Sequence, residues 1–282
     1  MNNIKSFVFL DLPFVLILPF FAAVLDRRLV AISRVRPKQS IFQPFYEVMK
    51  LLGSETLLPK EGSIPILLLA PLVALTVMVF AAMVSLSALL AGELLFSDAF
   101  LLFYIFLILP FVIGVGALAS GNPLSIFDLP RAVSRMIVAD LPFIAVLTAF
   151  LFRSGSKTSH LFVPSSFLAF IVTIISFGAK SVEILDDGRI DKFLLEYSGP
   201  PLALFTVSRW FFVGLLPIFV LLLFLSPLTV YGGIIKYFAV FILIFLVKEI
   251  LSRLDPAHRL KILFGPLNVL ALSMLLLAAL GL

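Results

Sequence analysis

The protein has 282 residues, of which 62% are hydrophobic and 13% charged, against roughly 45–50% and about 25% in an ordinary soluble domain. That excludes a soluble globular protein and places most of the chain in a lipid bilayer. The net charge of +5 does not signal nucleic acid, because the basic residues fall in loops between apolar runs, and no nucleic-acid partner is expected. With no cysteine, the polypeptide can form no disulfide, thiolate metal site or cysteine-ligated iron–sulfur cluster. Its two histidines, His160 and His258, fall on opposite sides of the expected membrane. Any redox centre must therefore sit on a partner.

A helix needs about 20 apolar residues to cross the hydrocarbon core. The first such run, Phe7–Leu25, ends at Asp26-Arg27-Arg28 without a small-x-small cleavage pattern, which reads as stop-transfer rather than a leader. Seven more runs follow: Ile64–Leu90, Phe100–Leu118, Met136–Phe152, Leu161–Phe177, Leu204–Leu225, Gly233–Leu251 and Phe264–Leu280. The expectation is an all-α integral membrane protein of about eight transmembrane helices, one polytopic domain over residues 1–282. Alternate loops 26–62, 119–135, 178–203 and 252–263, with adjoining helix ends, hold 17 of the 21 Lys and Arg. Lys and Arg accumulate on the cytoplasmic side, so these loops are expected in the cytoplasm and both termini outside the cell membrane.

The loop 26–62 contains more than a connection. Phe42, Phe45, Met49 and Leu52 recur at helical spacing opposite Gln43, Glu47 and Lys50, which predicts a short amphipathic helix along the interface. Asp140 falls near the start of a span, and its helical neighbours Met136, Ile137, Phe143 and Ile144 cannot neutralise it. Such a carboxylate faces another helix, a hydrated cavity or the aqueous rim, so it reads as a proton-relay site or as an interfacial acid. Asp26, beside two guanidinium groups, reads as a stop-transfer anchor. The stretch Ser181–Gly199 gathers Glu183, Asp186, Asp187, Asp191 and Glu196 against Arg189 and Lys192, either as a solvated loop or as mutually coupled carboxylates. Prolines in the spans predict bends. No glycine-rich loop with a following Lys-Ser/Thr supports nucleotide binding.

Four ordered stretches resemble the H-subunit family of complex I. They are Asp26-Arg27-Arg28 with Arg34-Val35-Arg36-Pro37, Gln43-Pro44 and Glu47 through Lys50 and Glu55 to Pro59; Arg131 through Arg135 to Asp140-Leu141-Pro142; Glu196-Tyr197-Ser198-Gly199 before Ala203-Leu204-Phe205; and Arg253-Leu254-Asp255 with Arg259 and Lys261. Two departures stand out. Asp26 and Asp140 replace the family's usual Glu, and Ser181-Val182-Glu183-Ile184-Leu185-Asp186-Asp187 stands where the family carries a longer acidic motif.

The resemblance implies a non-catalytic membrane-anchor subunit of a complex I-like oxidoreductase that docks a peripheral electron-transfer module and couples its chemistry to proton or sodium translocation. The degenerate third loop points to the branch of ferredoxin-linked [NiFe] hydrogenases, formate hydrogenlyases and membrane-bound sulfur reductases. The alternatives are a quinone-site subunit and, in another class, a free-standing secondary transporter. The chain would hold no cofactor; iron–sulfur clusters, and a NiFe centre in a hydrogenase, would sit on peripheral iron–sulfur and large hydrogenase-like subunits beside antiporter-like membrane subunits. Arg27, Arg28, Arg34, Arg36, Glu47, Lys50 and Arg131 would dock these partners. Asp26, Asp140, Glu183, Asp186, Asp187 and Glu196 would serve ion uptake or coupling. Four Asn, two Gln and no Cys fit a thermophile.

Overall fold

The computed structural model describes residues 2–34, 40–56, 62–91, 96–121, 123–153, 164–185, 197–225 and 230–280. Among them all regular structure is helical: α1 Asn2–Ser33, α2 Gln43–Leu52, α3 Ile64–Ala91, α4 Phe96–Ala119, α5 Pro123–Arg153, α6 Pro164–Leu185, α7 Pro200–Phe224, α8 Val230–Ser252, α9 Pro256–Ile262 and α10 Asn268–Ala279. A π-helical turn, Leu263–Leu267, joins α9 to α10. Helices are the expected solution for long apolar runs, because a backbone in hydrocarbon must satisfy its own hydrogen bonds. Proline opens α5, α6, α7 and α9; its fixed φ suits the first turn, where its missing N–H leaves no bond unmade.

Six helical segments among the described residues are long and apolar enough to cross a membrane: Ile64–Leu89, Asp98–Ala119, Val133–Phe150, Pro164–Ile184, Pro200–Phe224 and Pro256–Ala279. The two other expected spans, Phe7–Leu25 and Gly233–Leu251, fall on α1 and α8. Of the six segments, Pro200–Phe224 is the most buried, at 89%, and Pro256–Ala279 the least, at 28%.

All four of the expected basic loops are shorter than hydropathy suggests, the first because α1 runs on to Ser33. Helix α5 begins at Pro123, α6 continues to Leu185 and α9 occupies Pro256–Ile262. Apolar windows stop where charges begin, but these charges are carried on helices. Lys180 and Glu183, counted with the loop 178–203, are buried on α6.

The chain forms two compact units. The first comprises Met1–Ser87, Ile108–Arg131 and Asp187–Leu215; the second comprises Ala88–Leu107, Ala132–Asp186 and Leu216–Leu282. In the first, α2 forms where the sequence predicts a helix, but it packs inward through Pro44, Val48 and the partly buried Leu51. Phe42, Phe45, Met49 and Leu52 are exposed. The turn into α7 depends on Gly199, whose φ is +64° and whose Cβ, if present, would lie 2.9 Å from the Ser54 carbonyl oxygen and 3.0 Å from that of Glu55. Only glycine meets both demands. In the second unit α6 packs on α8 and α10. Gly178 permits the α6–α8 approach, since a Cβ there would stand 2.5 Å from Val247 Cγ1.

Gly116 of α4 is equally confined in the first unit: a Cβ would meet Tyr197 Oη at 2.6 Å, Phe205 Cζ at 3.1 Å and Ala70 Cβ at 3.2 Å. Tyr197 is buried against the edge of Phe205, and its hydroxyl has no hydrogen-bond partner among the described residues; burial pushes that phenol up from its ordinary pKa. Gly116→Ala should therefore cost about 1–3 kcal/mol through overpacking, read as a lower melting temperature in detergent. Adding Tyr197→Phe, which removes the clashing and unpartnered oxygen, should recover part of the loss.

Candidate functional site

Two helices of the second unit present charges to each other at successive turns. Lys180 Nζ on α6 donates to Asp140 Oδ1 on α5 at 2.6 Å, with side-chain exposures of 1% and 6%. Arg135 Nε on α5 donates to Glu183 Oε2 on α6 at 3.0 Å. The pairing of 140 with 180 and of 135 with 183 requires the helices to run antiparallel. The polarity of the pairs alternates, so α5 presents a cation then an anion and α6 the reverse. From α9, Arg259 Nη1 approaches Glu183 Oε1 to 3.2 Å.

Charges taken this far from water persist only when paired, and leaving one alone costs about 3–5 kcal/mol. Ionisable residues inside membrane spans are rare for that reason and are functional candidates by default. Asp140 is 4% exposed and its carboxylate is taken up by Lys180 of α6.

On the other side of the Asp140–Lys180 pair the lining is aromatic. Phe143 stands three residues beyond Asp140 on α5, and Phe177 three residues before Lys180 on α6. Their ring centroids are 4.9 Å apart, and Phe219 of α7 packs 5.6 Å from Phe143 and 6.0 Å from Phe177. Phe106 lies against Phe177 and Phe219. The pair is thus bounded by charge on one side and by phenyl rings on the other.

In the first unit, Arg27 of α1 reaches Glu47 of α2 through both of its terminal nitrogens, with Nη1 donating to Oε1 at 2.8 Å and Nη2 to Oε2. Gln43 Nε2 also donates to Glu47 at 3.3 Å. The Arg27 guanidinium lies 5.8 Å from the centroid of the Trp210 ring on α7, and Phe20 meets the same ring edge-on. Ala23, Val48 and Ala203 complete the apolar cluster around Trp210. Val24, Arg27, Arg28, Ala31, Ile32, Ser40 and Pro44 line a shallow groove beside this clamp.

Of the residues singled out from the sequence, Asp140 and Glu183 come together in the second unit, while Arg27 and Glu47 are engaged with each other. Arg28 and Lys50 are exposed; Asp26 is partly exposed at the end of the first apolar run, and Arg34 follows α1. Arg131 is on α5, its side chain outside the described residues. Arg36, Asp186, Asp187 and Glu196 also lie outside them. The sequence reading missed Lys180, Arg135 and Arg259 as partners of the buried acids. Their signal is present: a basic residue just past an apolar window matches an intramembrane acid that lacks a partner on its own helix. No group of three or more His, Asp and Glu gathers as a metal site among the described residues.

The hydrogen bonds from Arg27 hold the Glu47 carboxyl below its ordinary pKa; burial opposes this, and the charge of Arg27 and the Gln43 amide add to it. A carboxyl depressed in the folded state stabilises it above the unfolded pKa and loses that contribution as pH falls through the folded value. The α1–α2 clamp should therefore loosen below the usual carboxylate range. Trp210, the chain's one tryptophan, reports this natively: its fluorescence should shift on acidification, and Glu47→Gln should remove the pH-dependent part.

The chain matches the NADH dehydrogenase family over residues 5–279. It is 25% identical over 238 residues to the H subunit of the NADH-quinone oxidoreductase of Geobacillus thermodenitrificans, covering 73% of this chain and 69% of that protein. It is 27% identical over 229 residues to the corresponding H subunit of Anoxybacillus flavithermus, covering 72% and 68%. Its fold is similar to that of a chain in the membrane-bound sulfane sulfur reductase, an archaeal respiratory membrane complex, with a TM-score of 0.78, 15% identity and coverage of 99% of this chain and 100% of that one. With a buried charged ladder between apolar helices and a family match along nearly its whole length, the chain belongs to the NADH dehydrogenase family of complex I H subunits, multi-pass membrane subunits of respiratory complexes.

Proposed function

We propose that this subunit anchors a peripheral iron–sulfur module to the membrane and couples its electron transfer to ion translocation through the Asp140–Lys180 pair. The observation that carries the reading is that pair itself, a carboxylate and an ammonium 2.6 Å apart and almost wholly buried inside two membrane-crossing segments. A buried pair is sensitive to remote charge. At an effective dielectric constant near 20, one elementary charge arriving ~15 Å away alters the energy of either member by ~1 kcal/mol, enough to bias a proton between Asp140 and a neighbouring acceptor.

In this reading the chain crosses the membrane eight times, with α1 and α8 as the additional spans and both termini outside. The exposed cations Arg28 and Lys50, with Arg34, Arg36 and Arg131, face carboxylates of the peripheral iron–sulfur and large hydrogenase-like subunits. Arg27 and Glu47 hold α2 in place for that contact, and the exposed arc Phe42, Phe45, Met49 and Leu52 lies in the interface. Asp26, Glu183, Asp186, Asp187 and Glu196 line the route of ion uptake, and antiporter-like subunits extend it. The reading belongs to a ferredoxin-linked hydrogenase or sulfur reductase, supported by the departure of the third loop from the family's acidic motif. The names of the Geobacillus and Anoxybacillus relatives favour the second reading, a quinone-site subunit. Inhibition of the purified complex by a quinone analogue would select it.

The test must separate loss of function from loss of assembly. Asp140→Asn alone leaves Lys180 buried without its counter-charge and should lower assembly, whereas Asp140→Asn with Lys180→Gln removes both charges and should restore it. In vesicles containing the whole complex, the double variant should keep electron transfer while redox-driven pH or potential change falls about tenfold or more. Asp140→Glu should retain coupling. Normal coupling in the double variant, at matched electron transfer, would remove the pair from the ion route.

A further inference from the structure

Arg259 is 2% exposed, yet its Nε, Nη1 and Nη2 have no hydrogen-bond acceptor among the described residues. It belongs to a segment long and apolar enough to cross a membrane. The other charged groups of that stretch, Arg253, Asp255, His258 and Lys261, are exposed and can be hydrated. A guanidinium offers five N–H donors in a fixed fork, and buried donors without acceptors are rare in native proteins because they have given up water for nothing.

The same group is short of counter-charge. Glu183 serves two guanidinium groups: Oε2 accepts from Arg135 Nε at 3.0 Å, and Oε1 stands 3.2 Å from Arg259 Nη1. Asp140 is taken by Lys180. Among the described residues joined by these contacts, three cations therefore face two carboxylates. Lys248 and Glu249 of α8, also buried, add one charge of each sign. Proton movement does not remove the excess, since arginine stays protonated and a proton passed within the Asp140–Lys180 pair leaves the charge of that pair unchanged. Water would satisfy the donors but leave the excess charge in a low dielectric. An anion answers both needs.

We infer that Arg259 binds one small monovalent anion of the halide class on its Nε–Nη2 edge. That edge carries two parallel donors and is the one turned away from Nη1, the nitrogen that meets Glu183. The excess is a single charge, so a monovalent ion matches it. Leu263, one turn beyond Arg259, and Val182, beside Glu183, are buried and apolar. An oxyanion would bring further oxygens that need donors of their own; a halide brings none. The ion holds the charges of α9, α5 and α6 in balance and is not carried across the membrane, so the site is independent of the ion route proposed above.

The test is the thermal stability of the whole complex in detergent, with potassium chloride exchanged for potassium gluconate at constant ionic strength. The melting temperature should rise with chloride along a saturating curve, and bromide should replace chloride. Arg259→Leu should abolish that dependence while the complex still assembles, because Glu183 keeps Arg135 and no carboxylate is orphaned. Arg259→Lys keeps the charge but loses the fork, and its half-saturating chloride concentration should be about tenfold higher. Equal melting temperatures in chloride and gluconate for the wild type, or an unaltered chloride curve in Arg259→Leu, would overturn the inference. Should the leucine variant fail to assemble, the wild-type exchange and the lysine curve still decide. In crystals of the complex grown in bromide, an anomalous scattering peak should lie on the Nε–Nη2 edge; a protein carboxylate seated there would overturn the site.

Discussion

A charge inside hydrocarbon must find its counter-charge on a neighbouring helix, and in this protein that requirement fixes how α5 and α6 meet. Asp140 has no partner within its own helix, so the register of the two helices is the one that brings Lys180 to it. Once that register is set, Arg135 falls opposite Glu183 and the phenyl rings of Phe143 and Phe177 fall together one turn the other way. The two kinds of contact differ in what they contribute. The rings add area and shape, worth about 0.5–1.5 kcal/mol per aromatic pair beyond burial. The ion pair adds little net stability against a well-packed apolar alternative. Its retention between spans therefore argues for a task that apolar residues could not perform.

The first unit solves a different problem with similar means. Helix α1 carries cations where it leaves its apolar run, and α2 must be held beside it without a long apolar seam. Arg27 does this with both terminal nitrogens on Glu47 and with its cationic face toward Trp210. Lysine could not replace it, since one ammonium cannot make the forked contact. The arc of α2 left outward, Phe42, Phe45, Met49 and Leu52, is apolar and exposed.

Much of the fold was legible in the sequence because lipid enforces it. Long apolar runs become helices, and among the described residues six of the expected spans fall on segments long and apolar enough to cross a membrane. The ends were less legible. Hydropathy closed the α6 run at Phe177, although the helix carries Lys180 and Glu183 before stopping at Leu185; a window average cannot see that a lysine is neutralised by an aspartate 40 residues away. The same long-range pairing hid the partners of Arg135 and Arg259, which the sequence offers only as members of two motif stretches. In α2 the periodicity found the helix but not which face packs inward, because Pro44 and Val48 make a narrower stripe than the four larger side chains opposite. The stretch Glu196-Tyr197-Ser198-Gly199 was legible as a motif, and the structure supplies part of its reason: Gly199 has a positive φ pressed against two carbonyls, and Tyr197 fills the space left by Gly116.

The central claim, that Asp140 changes protonation during turnover, is met most directly by redox-triggered infrared difference spectroscopy on the assembled complex. The account predicts a carboxyl C=O band that appears or disappears with electron transfer, shifts in deuterated water and is absent when Asp140→Asn is combined with Lys180→Gln. A difference spectrum in which every carboxyl band survives that double substitution unchanged would contradict it.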